Sequence, residues 1–397
     1  MKLPNPKWRQ RPGLKPLLAA LDAAGGQTRF VGGCVRDTLL GVDVNDIDLA
    51  TRLMPDEVVR RLEAAGLKAV PTGIAHGTVT AISAGMPAEV TTLRRDVSTD
   101  GRRATVAFTE DWREDAARRD FTINALSADP VSGEIFDYFG GLDDLDARRV
   151  RFIGDPLTRI AEDHLRILRF FRFHARFGRG EPDAEGLAAC TARANDLMAL
   201  SRERIADELL KLLALPEPEA TVAIMLDHGI FKPIIPEVDA IGLGRLQLLS
   251  SRERDADVAP AALRRLAALL PPDPDIAADV AARLRLSNKA LKRLTAAASS
   301  DHADAPPAQL AYWIGSESAV DRLLLGDGDA RILDGWTRPA LNLSGGDLIA
   351  MGLPQGPVVA RTRGEIERLW VSENFPERKR LAEIARVAVD QALRSSQ

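Results

Sequence analysis

Two aspartates two positions apart, Asp46 and Asp48 in the stretch NDIDLAT (45–51), are the sharpest chemical feature of this sequence. The alternation of acid and apolar residues from Asp46 to Ala50 reads as a strand over 47–50, with both carboxylates on one face. Side by side they repel unless a cation sits between them. Mg²⁺ held by one or two carboxylates plus substrate phosphates is the usual resolution, and a solvated strand face is the bland alternative. About a dozen residues upstream, Thr28–Val31 reads as a strand entering Gly32 and Gly33, followed by a helix with Arg36 in its first turn. Glycines let backbone approach a ligand, and free amides at a helix start attract phosphate. Glycines that only satisfy a turn would leave the same trace. The GxxxxGK[ST] phosphate loop is absent, and Cys34 reads as a small packing residue. Glu89, on a strand over 89–93, stands as a third carboxylate across the sheet or as an ordinary edge-strand acid.

Arginine dominates further along. Residues 148–179 hold nine arginines against three acids, Asp155, Glu162 and Asp163, which marks a site for something anionic. Within EDHLRILRFFRFHARFG (162–178), Asp163, Arg166, Arg169 and Arg172 recur every three residues, on what reads as one helix over 160–177. Neighbours in that series touch while the set winds around the helix. Asp163 and Arg166 then meet one ligand, and Arg172 faces nearly the other way. The intervening phenylalanines read as core. Arginines beside a core with so few acids are costly without an anionic partner, whereas a salt-bridged amphipathic helix needs none. The segment RRDFTINAL (118–126) says by itself only that a charged helix or strand ends there.

These residues need a scaffold of short strands and helices. A helix over 55–65 carries Pro55 near its start, Val58, Val59 and Leu62 on one side, and Gly66 past its end. Runs over 78–82 and 89–93, rich in Val, Thr and Ile, read as a strand pair. From about residue 157 the periodicity turns helical, with further helices over 188–200, 204–215 and 220–227 and proline breaks at 216–218, 271–274 and 306–307. The class is α+β, a mixed sheet with helices followed by an all-α remainder. At 397 residues the chain spans two or three domains, and 45% apolar with 28% charged residues excludes a mostly disordered one. A net charge of −4 excludes a uniformly basic nucleic-acid binder. Two cysteines make no disulfide framework, MKLPNPKWRQRPGLKP has no apolar core of 7–15 residues so no signal peptide is expected there, and no apolar run approaches a membrane span. A reduced, cytoplasmic compartment is expected, with no obligate protein partner.

Taken together, GGCVRDTLLG (32–41), DIDLAT (46–51), TTLRRDVSTDGRRATVAF (91–108), RRDFTINAL (118–126), DYFGGLDDL (137–145) and EDHLRILRFFRF (162–173) resemble the class II tRNA nucleotidyltransferases, the CCA-adding enzymes, and their poly(A) polymerase relatives. The match covers roughly residues 28–180, and SGGDLIAMGLPQGP (344–357) looks like the family's tail segment, with a helix beginning near 355–359. The resemblance implies a polymerase-β-like nucleotidyltransferase head over 1–150, a nucleotide-selecting helical neck over 151–215, and a helical body and tail over 216–397 that hold tRNA. It implies addition of C, C and A to the tRNA 3′ end from CTP and ATP. Asp46 and Asp48 would bind Mg²⁺, with Glu89 the third catalytic carboxylate. Gly33 and Arg36 would hold triphosphate, and Arg119 with Asp120 phosphate and ribose. Asp163 and Arg166 would read the base, with Arg169 and Arg172 completing the pocket. Residues 100–113 match a flexible loop linked to the switch from C to A. Some relatives carry an added His-Asp phosphohydrolase domain, but no histidine here precedes an aspartate, so no such activity is expected. The alternatives are a poly(A) polymerase, a partial CC-only or A-only enzyme, and a non-catalytic RNA-binding module.

Overall fold

The computed structural model describes residues 1–100 and 103–395. The chain divides into two compact units, Met1–Pro236 and Glu237–Gln397.

The first unit opens with helix α1 (Leu14–Ala20), strand β1 (Thr28–Val31), α2 (Gly33–Leu39), β2 (Asp48–Thr51) and α3 (Pro55–Ala64). Strands β3 (Lys68–Gly73), β4 (Thr78–Ser83) and β5 (Met86–Thr92) follow, then β6 (Arg94–Asp100) and β7 (Arg103–Phe108). Beyond α4 (Trp112–Ala117), the short strands β8 (Ser127–Ala128) and β9 (Ile135–Phe136) complete a seven-stranded sheet in the order β3-β4-β5-β2-β1-β8-β9. Most neighbours are antiparallel, but β2 and β5 run parallel, because α3, β3 and β4 supply the long crossover a parallel pair requires. That register sets Asp48 directly opposite Glu89. The helix expected over 55–65 is α3, with Pro55 in its first turn and Val58 and Leu62 buried.

Three expectations need correction. Strand β2 begins at Asp48, so Asp46 lies in the preceding loop rather than on the strand. The segment expected as a loop over 100–113 is largely regular, since β6 and β7 form an antiparallel pair and α4 starts at Trp112. Gly101 and Arg102 lie outside the described residues. The helix expected over 160–177 is two, α6 (Pro156–Glu162) and α7 (Arg166–Phe177), because Asp163 between them is extended at φ −151° and ψ 105°. Its own Oδ1 accepts from the Leu165 amide at 3.1 Å, a local side-chain turn that competes with the helix.

Between β9 and α6 lies α5 (Gly141–Asp146), and α8 (Ala184–Ala192), α9 (Arg202–Leu213) and α10 (Glu219–Asp227) complete the unit, with a 3-10 turn (Ala194–Ala199) where the α8 helix was expected to run on. The phenylalanines of α7 are core, as their spacing predicts: Phe170, Phe171, Phe173 and Phe177 are buried. Phe121 packs at 5.2 Å from Phe173 and 5.0 Å from Phe152, and such aromatic pairs contribute about 0.5–1.5 kcal/mol each. This cluster fastens the 118–126 segment to α7.

The described residues of the second unit form helices and connecting loops, with no strand among them. It comprises α11 (Ala240–Asp255), α12 (Ala262–Leu269), α13 (Pro274–Arg283), α14 (Asn288–Ala298), α15 (Pro307–Ile314) and α16 (Ser316–Leu325), then α17 (Gly345–Ala350), α18 (Pro357–Ser372) and α19 (Arg378–Arg394). Ser344 and Asp347 form a reciprocal cap at the start of α17. Tyr312, Leu348, Ile366, Trp370 and Ile384 share one apolar core, which ties α15 to the last three helices.

Candidate active site

A polar cavity of about 430 Å³ in the first unit is lined by Gly32, Gly33, Arg36, Arg119, Asp120, Asn124, Asp163, Arg166, Arg169 and Phe173. All ten lie within the motifs at 32–41, 118–126 and 162–173, and Gly33, Arg36, Arg119, Asp120, Asp163, Arg166 and Arg169 are those expected to bind nucleotide. Arg172 is not among the lining residues.

The glycine turn forms one wall. Gly32 sits at φ +64°, a backbone region that disfavours side chains, and a Cβ there would lie 2.8 Å from Nη1 of Arg119. The missing side chain therefore lets the Arg119 guanidinium close on the turn. Arg36, in the first turns of α2, is buried among Asp37, Asn124 and the Phe177 ring 4.1 Å away. Burial lowers its guanidinium from the usual value, against the pull of Asp37.

The second wall is the 118–126 segment. Arg118 and Arg119 both pair with buried Asp115, and Arg159 Nη2 donates to the Arg118 and Arg119 carbonyls at 2.6 and 2.7 Å. Asp120 is buried and accepts from Arg169 Nε at 2.8 Å, from Asn124 Nδ2 at 2.8 Å and from the Phe121 amide at 2.9 Å. Burial alone would raise its carboxyl, but Arg169 and these donors outweigh it and hold the group below the usual carboxylate range. Gly141 at the start of α5 fits directly against this wall, where a Cβ would meet the Thr122 carbonyl at 2.4 Å.

The junction of α6 and α7 and the first turns of α7 supply the third wall. Asp163 Oδ2 accepts from Arg204 Nη2 at 2.7 Å, and Arg166 pairs with Glu162 and donates to the Arg159 carbonyl at 2.7 Å. Asp163 and Arg166 thus share the cavity from the break between two helices, not from one helical face. Arg172 joins Glu208 at 2.5 Å, a buried acid that also lies 3.7 Å from Arg169. The expected scarcity of acids around these arginines is corrected by the fold. Asp120, Glu208, Asp37 and Asp144 arrive from outside 148–179 to pair with Arg169, Arg172, Arg176 and Arg149. Arg204, Glu208 and Asn124 were not singled out in the sequence. The RERIADEL run (202–209) carried the only signal for the first two, an arginine and an acid four residues apart on a helix.

The carboxylates lie outside the cavity lining, Asp48 and Glu89 opposite each other on β2 and β5 and Asp46 in the loop before β2. Asp46 and Glu89 are exposed and Asp48 is half-buried. Burial pushes the Asp48 carboxyl above the usual range, and Glu89 and Asp46 raise it further, against Arg119 and Arg36. Crowded, partly desolvated oxygen donors are what a hard divalent cation relieves. Among the described residues no three His, Cys, Asp or Glu side chains are grouped so as to hold a metal ion, and a pair of carboxylates completed by water and substrate phosphates is the arrangement Mg²⁺ commonly takes. Among the described residues no helix is long and apolar enough to cross a membrane.

The sequence matches the family described as the poly(A) polymerase head domain over residues 28–151, and that described as a probable RNA and SrmB-binding site of polymerase A over residues 181–241. The mouse protein (Mus musculus) named CCA tRNA nucleotidyltransferase 1, mitochondrial, is 32% identical over 94% of this chain and 90% of its own length. The CCA-adding enzyme of Levilactobacillus brevis is 32% identical over 92% of this chain and 94% of its own. The crystal structure of the Bacillus stearothermophilus CCA-adding enzyme in complex with CTP superposes with a TM-score of 0.77 at 25% identity, covering 98% of this chain and all of that one. The chain belongs to the tRNA nucleotidyltransferase/poly(A) polymerase family, within its CCA-adding branch.

Proposed function

We propose that this protein adds C, C and A to the 3′ end of tRNA, using CTP and ATP, without a nucleic-acid template. The observation that carries the reading is the single cavity in which the glycine turn of the head meets the Asp163–Arg166 pair of the neck. The tRNA 3′-hydroxyl attacks the α-phosphate of the bound nucleotide in line, and pyrophosphate leaves. Mg²⁺ on Asp46 and Asp48 supplies, when bound, acidification of that hydroxyl and neutralisation of charge on the entering and leaving oxygens. Gly33 and Arg36 hold the triphosphate, and Arg119, drawn onto Gly32, faces phosphate. Asp120 acts through Arg169, keeping that guanidinium in the pocket beside the nucleotide. Glu89 is the third carboxylate, across the strand pair from Asp48.

Base choice follows from donor and acceptor patterns. Cytosine and adenine each present an amino donor beside a ring-nitrogen acceptor, and uracil and guanine present the reverse. A carboxylate only accepts and a guanidinium only donates, so Asp163 with Arg166 matches C and A. Residues 1–150 act as catalytic head, 151–215 as neck, and 216–397 as the body and tail that hold tRNA. The cytoplasm is the proposed compartment, in keeping with two cysteines that are both free and buried.

Incubation with tRNA transcripts lacking CCA, or ending in C or CC, with labelled CTP or ATP tests the assignment. Ordered growth to CCA and then arrest is expected. Growth of an A tract on arbitrary RNA, or no incorporation, overturns it.

A further inference from the structure

The loop that delivers Asp46 is thinly held. Residues 43–46 belong to no helix or strand, and Asn45 and Asp46 are exposed. Val44 and Ile47 are buried on either side, and the Ile47 carbonyl accepts from the Glu89 amide at 3.0 Å. Arg11, from the turn before α1, donates through Nη2 to the Val44 carbonyl at 3.0 Å and through Nη1 to the Asn45 carbonyl at 3.3 Å. Among the described residues it is the one side chain that donates to the backbone of residues 43–46. The turn carrying Arg11 is itself anchored. Trp8 is buried, its Nε1 donates to Thr38 Oγ1 at 2.9 Å, its ring stacks edge-on against Phe30 at 4.9 Å, and its carbonyl accepts from the Arg11 amide at 3.3 Å.

We propose that Arg11 is a positioning residue that fixes the backbone of Asp46 for metal binding. One planar guanidinium fork on two successive carbonyls fixes both peptide planes immediately ahead of Asp46. Asp46 and Asp48 repel when no cation lies between them, so an unclamped loop carries the exposed Asp46 outward and must be reordered each time an ion binds. Arg11 removes that ordering step in advance, as supporting groups around metal ligands do. The inference rests on the assignment of Asp46 as a metal ligand.

Direct Mn²⁺ binding to the full-length protein, followed by electron paramagnetic resonance in the presence of CTP, tests it with Arg11→Ala, Arg11→Lys and Asp46→Ala. Arg11→Ala should weaken Mn²⁺ binding roughly tenfold, a usual effect of losing a supporting residue behind a metal ligand. Arg11→Lys should recover part of the loss. Thermal stability, and CTP binding measured in EDTA, should match the wild type. If Asp46→Ala weakens Mn²⁺ binding and Arg11→Ala does not, the positioning role falls while the metal assignment stands. Mn²⁺ binding unchanged by Asp46→Ala overturns both. A loss in Arg11→Ala that is matched by lower melting temperature and weaker metal-free CTP binding assigns Arg11 to general folding and overturns the proposal.

Discussion

Arg204 donates to Asp163 at 2.7 Å, whereas Arg166, three residues beyond Asp163, is paired with Glu162. The proposed base-reading acid and base therefore enter the cavity already fixed by separate partners, one from α9 and one from α6. Fixing both groups beforehand lets them discriminate, because a base with the wrong pattern leaves a buried acceptor facing an acceptor.

Asp163→Ala should lower kcat/KM for both CTP and ATP and relax discrimination against UTP and GTP. Arg204→Ala should act in the same direction but more weakly, since the carboxylate remains and only its orientation is lost. Losing a charge-assisted hydrogen bond costs about 1.5–3 kcal/mol, or roughly 10- to 100-fold in kcat/KM. Single-nucleotide incorporation with all four triphosphates reads this out. A proportionate loss across the four, with selectivity intact, would assign the pair to structure alone.

Asp46→Ala and Asp48→Ala should each reduce nucleotide addition by roughly 10³-fold or more, the several kcal/mol that a bound metal supplies to phosphoryl transfer. Folding should not suffer, because the charged Asp48 carboxylate is disfavoured first by burial and then by Glu89 and Asp46, so losing either acid removes part of that cost. Single-turnover kinetics and thermal unfolding separate the two effects. Wild-type turnover in Mg²⁺ by either variant contradicts the metal assignment.

Much of the head was legible because its signals are local. The turn at Gly32, the start of α2, helix α3 and the β4–β5 pair follow from residue type and period within short windows. The register that sets Glu89 against Asp48 is the outcome of a long crossover, and the sequence offered it only as one of two readings. The break at Asp163 was missed because the apolar period continues through it. A side-chain turn to the Leu165 amide overrides helix spacing there without altering the pattern. The acids that pair with Arg169, Arg172 and Arg176 come from 36 to 139 residues away, as with Arg172–Glu208 and Arg176–Asp37, and no spacing rule within a helix reaches so far.

The Asp120–Arg169 pair makes stability depend on pH in a defined direction. The folded carboxyl lies below the unfolded value of about 3.9, so its contribution is complete above that value and is lost as pH falls through the lower folded one. Asp120→Asn leaves Arg169 without its main partner and should cost about 3–5 kcal/mol at pH 7. The deficit should shrink as pH drops below about 4, because the wild type loses the pair there too. Denaturant unfolding of both proteins across pH 3–7 tests this. A deficit independent of pH would show that Asp120 contributes packing and neutral hydrogen bonds rather than charge.

In the second unit, Glu253 is buried beneath two arginines, accepting from Arg264 Nε at 2.9 Å and Arg265 Nε at 2.8 Å. Asp321, also buried, lies 3.7 Å from Arg264 and accepts from Arg293 Nη2 at 2.8 Å, so the acids and arginines of α11, α12, α14 and α16 form one ionic cluster. Charges taken out of water are tolerated only while each keeps its partner, and removing one member strands the others. Glu253→Gln should therefore destabilise residues 237–397 by about 3–5 kcal/mol. Replacing Glu253, Arg264 and Arg265 together with apolar residues of similar volume should be close to neutral or stabilising. CTP binding in residues 1–236 should stay unchanged in both variants. Hydrogen exchange resolved by segment measures each unit separately, and Glu253→Gln protection equal to wild type through α11 and α12 would show that the cluster contributes nothing to the stability of this unit.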